Sequence, residues 1–141
     1  MSSISEYKIF LDQLTGLRTN EENELKKEEN KLLKFKQDIN ESINIYSKDE
    51  VDKKINKYNI LLNEYRSKVE QFNIYIDKNL NYNRSLALDK IASIVTSIAR
   101  VQNIDLILES QNYFLTSDNI DLSNEVILKL SEKKFSFEII E

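Results

Sequence analysis

The 141-residue chain has no cysteine, no histidine and no proline, and its only glycine is Gly16. Without cysteine or histidine there are no disulfides and no zinc site, and every thiol or imidazole mechanism is excluded. Without proline and with one glycine there are almost no chain breakers, so long uninterrupted helices are expected and large loops are not. No run is apolar and long enough to span a bilayer. The first ten residues lack the basic start and apolar centre of a signal peptide, which leads to the expectation of a cytoplasmic protein or of a mature or trimmed form. Apolar residues make up 40% and charged residues 31% of the chain, a thin supply for a compact globule and a better fit to an elongated one.

Charge is uneven. The net charge is −4, with nine Lys or Arg against six acids in residues 31–68 and three against eight in residues 105–141. So small an excess of basic residues falls short of the dense basic face with interleaved aromatics that nucleic acid needs, so no nucleic acid is expected as a partner. Paired acids such as Glu21–Glu22 and Glu28–Glu29 sit on a solvated helix with nothing to desolvate them. No enzyme, catalytic residue, cofactor or metal is therefore expected.

Ser3 and Glu6 have capping-box spacing for a first helix through Tyr7, Phe10 and Leu14, which Gly16 is expected to end as a left-handed cap, folding Leu17 back toward Leu11. Thr19 and Glu22 repeat the box and open a second helix with sparse apolar positions at Leu25, Leu32, Phe35, Ile39 and Ile43, and with Glu28 where the seam wants an apolar residue. A tight reversal is expected at residues 44–47, followed by a third box, Ser47 with Glu50. Val51, Ile55, Tyr58, Leu62, Tyr65, Val69, Phe72 and Ile76 then alternate steps of four and three, a coiled-coil seam that weakens across residues 77–85 and resumes shifted from Leu88 and Ile91. Folding back at the reversal sets Phe35 against Tyr58, Ile39 against Ile55, Leu32 against Leu62 and Leu25 against Val69. The arm so formed, over residues 19–86, is about 40 Å long from Thr19 to the reversal. Apolar residues off the seam, Ile45, Ile60, Ile74, Tyr75 and Leu80, are the candidate contacts for a partner.

From Ile91 the period changes. Helical spacing continues to Val101, and then Ile104, Leu106 and Leu108 alternate with Asp105 and Glu109 as in a strand. A polar turn, a second strand near residues 113–116 with Tyr113, Phe114 and Leu115, and a short helix over residues 123–133 follow. That helix is expected to be capped by Ser123, with Leu122 and Ile127 as a staple. So small a strand pair does not hold itself in water and needs strands from elsewhere, so Ile104, Leu106, Leu108, Tyr113, Phe114 and Leu115 are assigned to packing between chains or within the base. Phe135 to Ile140 alternates well enough to be one more strand. The fold class is α+β, mostly helical: a single domain over residues 1–141, with a long antiparallel coiled-coil arm on a small β-hairpin base formed by residues 3–18 and 87–141.

Leu88-Asp89-Lys90-Ile91 through Ile98-Ala99, then 103–109, then Asn119-Ile120-Asp121-Leu122-Ser123-Asn124-Glu125-Val126, resembles the C-terminal signature of the Skp/OmpH family of periplasmic chaperones. Thr15-Gly16 and Asn23-Glu24-Leu25 resemble that family's entry into its first arm helix. The resemblance implies a homotrimer whose strands close a β-barrel body and whose arms enclose a cavity. It also implies a periplasmic location and an ATP-independent holdase activity toward unfolded outer-membrane proteins. Two features depart from the family. The chain begins where the first body strand ends, and residues 135–140 are a candidate replacement. Its acidic charge, against strongly basic members, puts lipopolysaccharide binding in doubt. An alternative without the resemblance is a structural coiled-coil protein that pairs with a helical partner or with itself.

Overall fold

The computed structural model describes residues 4–112 and 118–141. Two long helices, α1 (Ser5–Ser42) and α2 (Lys48–Gln102), are followed by single 3-10 turns at Ser110–Asn112 and Asp118–Ile120 and by a short helix, α3 (Ser123–Ser131). The chain divides into two compact units, Gln13–Lys78 with Glu141, and Met1–Asp12 with Asn79–Ile140.

The first unit is a helical hairpin. Its reversal begins where the Ser42 carbonyl accepts the N–H groups of Ile45 and Tyr46 at 3.1 and 3.0 Å. The Ser47 box forms as its spacing requires: Glu50 accepts the Ser47 backbone N–H at 3.1 Å and the Ser47 hydroxyl at 2.7 Å. Those bonds, the hydroxyl's first, hold the Glu50 carboxyl below its ordinary range. Leu25, Leu32, Ile39, Val51 and Ile76 are buried, and the Phe35 and Tyr58 rings meet edge-on at 6.2 Å. Glu28 does not interrupt the seam, because Lys68 reaches it across the pair at 2.7 Å. Lys54 likewise crosses to Asp38 at 2.9 Å and to the buried Ser42 hydroxyl at 2.8 Å, with its amine 4.8 Å from the centre of the Tyr46 ring. These contacts share one antiparallel register.

Gly16 does not end a helix. α1 runs through it, no glycine has positive φ, and Leu17 is exposed. Thr19 does not open a new helix either, since its hydroxyl bonds back to the Thr15 carbonyl at 3.0 Å. One glycine costs a helix about 1 kcal/mol, too little to break a helix braced by pairs such as Arg18–Glu22 at 2.8 Å. A Cβ at Gly16 would meet nothing within 4 Å. Gly16→Ala is therefore expected to stabilise the protein by about 0.5–1 kcal/mol, read as a higher urea midpoint at unchanged slope.

In the second unit, Ile4, Tyr7 and Phe10 of the N-terminal segment bury against a core containing Ala87, Ile94, Ile98, Leu130 and Phe137. The Tyr7 ring packs on Phe10 at 5.8 Å and edge-on to Phe137 at 5.2 Å. α2 stops at Asn103, which takes φ 54° while the Ile104 N–H bonds the Ala99 carbonyl at 2.9 Å. That is the left-handed stop that asparagine tolerates.

The β-hairpin base is not found: among the described residues there is no strand, and 104–109 has neither helix nor strand. A ladder needs a second segment to satisfy each exposed N–H and C=O, and no described segment of this chain pairs with 104–109. The second strand, 113–116 with Tyr113, Phe114 and Leu115, lies outside the described residues, as does Ser3 of the first capping box. α3 is present but is not capped by Ser123. Its N-cap is Leu122, without a side-chain bond, and Asp121 instead accepts the Ser123 N–H at 2.9 Å. The Ser123 bonds, side chain first, lower the Asp121 pKa.

Candidate functional site

Among the described residues no three His, Cys, Asp or Glu side chains gather as metal ligands. Exposed apolar residues, an open hollow and a backbone-binding asparagine pair mark three places on the structure.

On the helical hairpin, Ile45, Ile60 and Ile74 are exposed, Ile45 most of all at 75%, while Tyr75 and Leu80 are half-buried. Ile74 borders a shallow hollow of about 410 Å³ with Tyr65 and Val69. Of the seam residues, Leu32, Ile39 and Val51 are buried, Phe35, Tyr58, Leu62, Tyr65, Val69 and Phe72 are half-buried, and Ile55 is 38% exposed. A pair of helices has only one seam to close, so the remaining apolar side chains stay in water.

In the other unit an apolar hollow of about 680 Å³ is lined by Ile91, Val95 and Ile98 of α2, by Val126 and Leu130 of α3, and by the 104–108 segment. A Gln102–Glu125 bond of 2.7 Å ties α2 to the start of α3 beside it. Leu106 is 71% exposed and Leu108 51%; Ile104 is half-buried. Tyr113, Phe114 and Leu115 were grouped with them by sequence and lie outside the described residues.

The third place is a pair of asparagines that helical periodicity alone does not single out. Asn79 and Asn83 are both 0% exposed, one turn apart on α2, and both grip the backbone of the 135–140 segment. Asn83 donates to the Glu138 carbonyl at 2.9 Å and accepts the Glu138 N–H at 3.2 Å. Asn79 donates to the Ile140 carbonyl at 3.0 Å and accepts the Ile140 N–H at 2.7 Å. Four helical residues rise about 6 Å and two extended residues about 6.7 Å, so the two amides meet alternate residues of a strand-like segment. Burial alternates to match: Phe137 is buried, Phe135 and Ile139 are half-buried, and Ser136 and Glu138 are exposed. The strand expected at 135–140 is therefore not formed: the segment is neither helix nor strand, and its backbone pairs with helix side chains, not with a sheet. One signal could have exposed this. Asn79 and Asn83 continue the steps from Ile76 to Ala87, where a buried amide needs a partner of matching polarity.

The far end of the segment is held by charge. The Glu6 carboxyl is lowered by its own backbone N–H first, then by the Ser5 hydroxyl, the Phe135 N–H and Lys134. Because the folded value lies below the ordinary 4.5, this contribution is complete above that pH and is lost as pH falls through the lowered value. The urea-midpoint advantage of the wild type over Glu6→Gln is expected to close on acidification below 4.5.

Exposed apolar surface lies on the paired helices and around an open hollow, the kind of surface that other chains cover. The family model for outer membrane protein (OmpH-like) matches residues 1–130, and the chain belongs to that family, one of periplasmic chaperones of the Skp/OmpH type. Neither the curated proteins nor the solved structures gave a match. No helix among the described residues is long and apolar enough to cross a membrane.

Proposed function

We propose that the protein is an ATP-independent holdase of the periplasm, a homotrimer whose helical hairpins act as arms around unfolded outer-membrane β-barrel proteins. The observation that carries this reading is the exposure of Leu106 and Leu108 beside the apolar hollow. An unpaired apolar segment next to an unfilled cavity is what a subunit presents before its neighbours cover it. The family membership supports the same assembly. In it, 104–109 pairs with strands of sister chains, closing a barrel body, and the arms are left to hold the client. Ile45, Ile60 and Ile74 then supply many weak contacts. A side chain of this size contributes about 1.5–3 kcal/mol when fully covered and less when partly covered, so binding is broad and reversible without ATP. Neither a cofactor nor nucleic acid enters, and the acidic charge leaves lipopolysaccharide outside the reading.

The test joins sedimentation with light scattering of an unfolded β-barrel protein on dilution from urea. A trimer that suppresses scattering is expected. Ile45→Ser, Ile60→Ser and Ile74→Ser combined are expected to keep the trimer and helicity and to weaken suppression several-fold. Leu106→Asp with Leu108→Asp is expected to dissociate the trimer. A well-folded monomer, or a polymer growing with concentration and blind to the client, would replace this reading with that of a structural coiled coil.

A further inference from the structure

The Asn79–Asn83 pair does something that packing alone does not require. It presents two buried amides that together offer two donors and two acceptors to backbone groups, and none of the four bonds involves the captured segment's side chains. Side-chain selection is left to one apolar socket, where Phe137 sits against Tyr7. A receptor of this kind reads an extended chain with apolar residues at alternate positions and is indifferent to most of what lies between. Phe135-Ser136-Phe137-Glu138-Ile139 has that pattern. It is also the pattern of a membrane-spanning β-strand, in which apolar and polar residues alternate.

We infer that Asn79 and Asn83 form a receptor for an extended, alternating strand of an unfolded β-barrel client, and that residues 135–140 occupy it in cis as a stand-in for that strand. The inference rests on the proposed chaperone function and adds to it a defined subsite that reads backbone. It gives the site two states. With the cis segment seated, client strands meet only the weak surface contacts. With the segment displaced, one client strand gains the four backbone bonds and the socket, and the exchange conserves hydrogen bonds so that neither state leaves a buried amide unpaired. The apparent affinity for a strand in trans is then set by the fraction of chains whose cis segment is out.

The experiment uses the full chain. Phe137→Ala combined with Glu138→Pro removes the ring from the socket and one N–H from the clamp, and so releases the segment. Fluorescent octapeptides are titrated by anisotropy into the wild type and into this variant. One has the sequence of residues 134–141, one is a membrane-spanning strand of an unrelated β-barrel, and one is that strand with its apolar residues made contiguous. The expected result is that both alternating peptides bind the released variant at least tenfold tighter than the wild type and that the contiguous one does not. N-methylation of the strand at the two residues facing the asparagines, or Asn79→Leu with Asn83→Leu in the released variant, is expected to abolish binding. In the wild type, saturating strand peptide is expected to speed amide exchange at Glu138 and Ile140. Binding confined to the 134–141 peptide overturns the inference, leaving a lock specific to this chain, and so does binding that survives loss of both asparagines. Suppression of client aggregation by the wild type is measured alongside. If it persists while the released variant takes no strand, this inference falls and the proposed function stands; if it is absent, both fall.

Discussion

Phe10→Ala is expected to be the most damaging single substitution, lowering stability by about 3–5 kcal/mol. Phe10 is 1% exposed and its ring packs on Tyr7, which in turn meets Phe137 edge-on. Truncation removes the transfer energy of the ring and leaves a void that two rings fixed by their own partners do not collapse to fill. Urea unfolding followed by circular dichroism measures the loss, and amide exchange near Ile94 and Ile98, both buried in the same core, should accelerate with it. Ile60→Ala is the control. Its side chain is exposed, so its stability change should stay within about 0.5 kcal/mol. A Phe10→Ala protein as stable as this control would show that the N-terminal turns of α1 do not hold the core together.

The second large effect is expected from Asn83→Leu, a change of similar size that removes only the amide. Three bonds go: two with Glu138 and one to the Asn79 carbonyl at 3.0 Å. The Asn79 carbonyl keeps its place in the helix, whereas the Glu138 N–H and C=O must either stay unpaired beside leucine or leave for water. Unpaired buried groups cost about 1–3 kcal/mol each, so a total of roughly 2–4 kcal/mol is expected, with exchange protection at Glu138 lost first. Asn83→Asp should not rescue it, because a carboxylate accepts the Glu138 N–H but repels the Glu138 carbonyl. Asn79→Leu is expected to act in the same direction on Ile140. The double variant should cost less than the two singles together, because one released segment cannot be released twice.

These asparagines also show why the sequence revealed the helices more readily than the base. Seam residues interact with neighbours set by the helical repeat, so Val51 to Ile76, the reversal before Ser47, the Ser47–Glu50 box and the Phe35–Tyr58 pairing could all be anticipated from spacing. Gly16 and Thr19 misled because local stop and start signals are worth little against a helix sustained along its whole length. Ser123 misled because the helix already includes it: Leu122 takes the cap position and Asp121 accepts the Ser123 N–H. The 104–109 segment alternates as a strand does, but alternation records which face is apolar and not whether a partner strand is at hand. Asn79 and Asn83 looked like a lapse in the seam because hydropathy scores them as polar. Their place in the steps from Ile76 to Ala87 marks them for burial, but the segment that pairs with them lies 55 or more residues further along the chain, and helical spacing does not name it.

The shared register of the helical hairpin limits how its length can change over descent. Phe35 meets Tyr58, Glu28 meets Lys68 and Asp38 meets Lys54 as rungs of one antiparallel ladder about the turn before Ser47. A deletion in one helix alone would slide every rung beyond it out of step and rotate the apolar edge toward solvent. Viable insertions and deletions should therefore arrive as matched pairs, equal in size and equidistant from the turn, in whole heptads. Longer and shorter kin of this protein should differ by even numbers of such blocks.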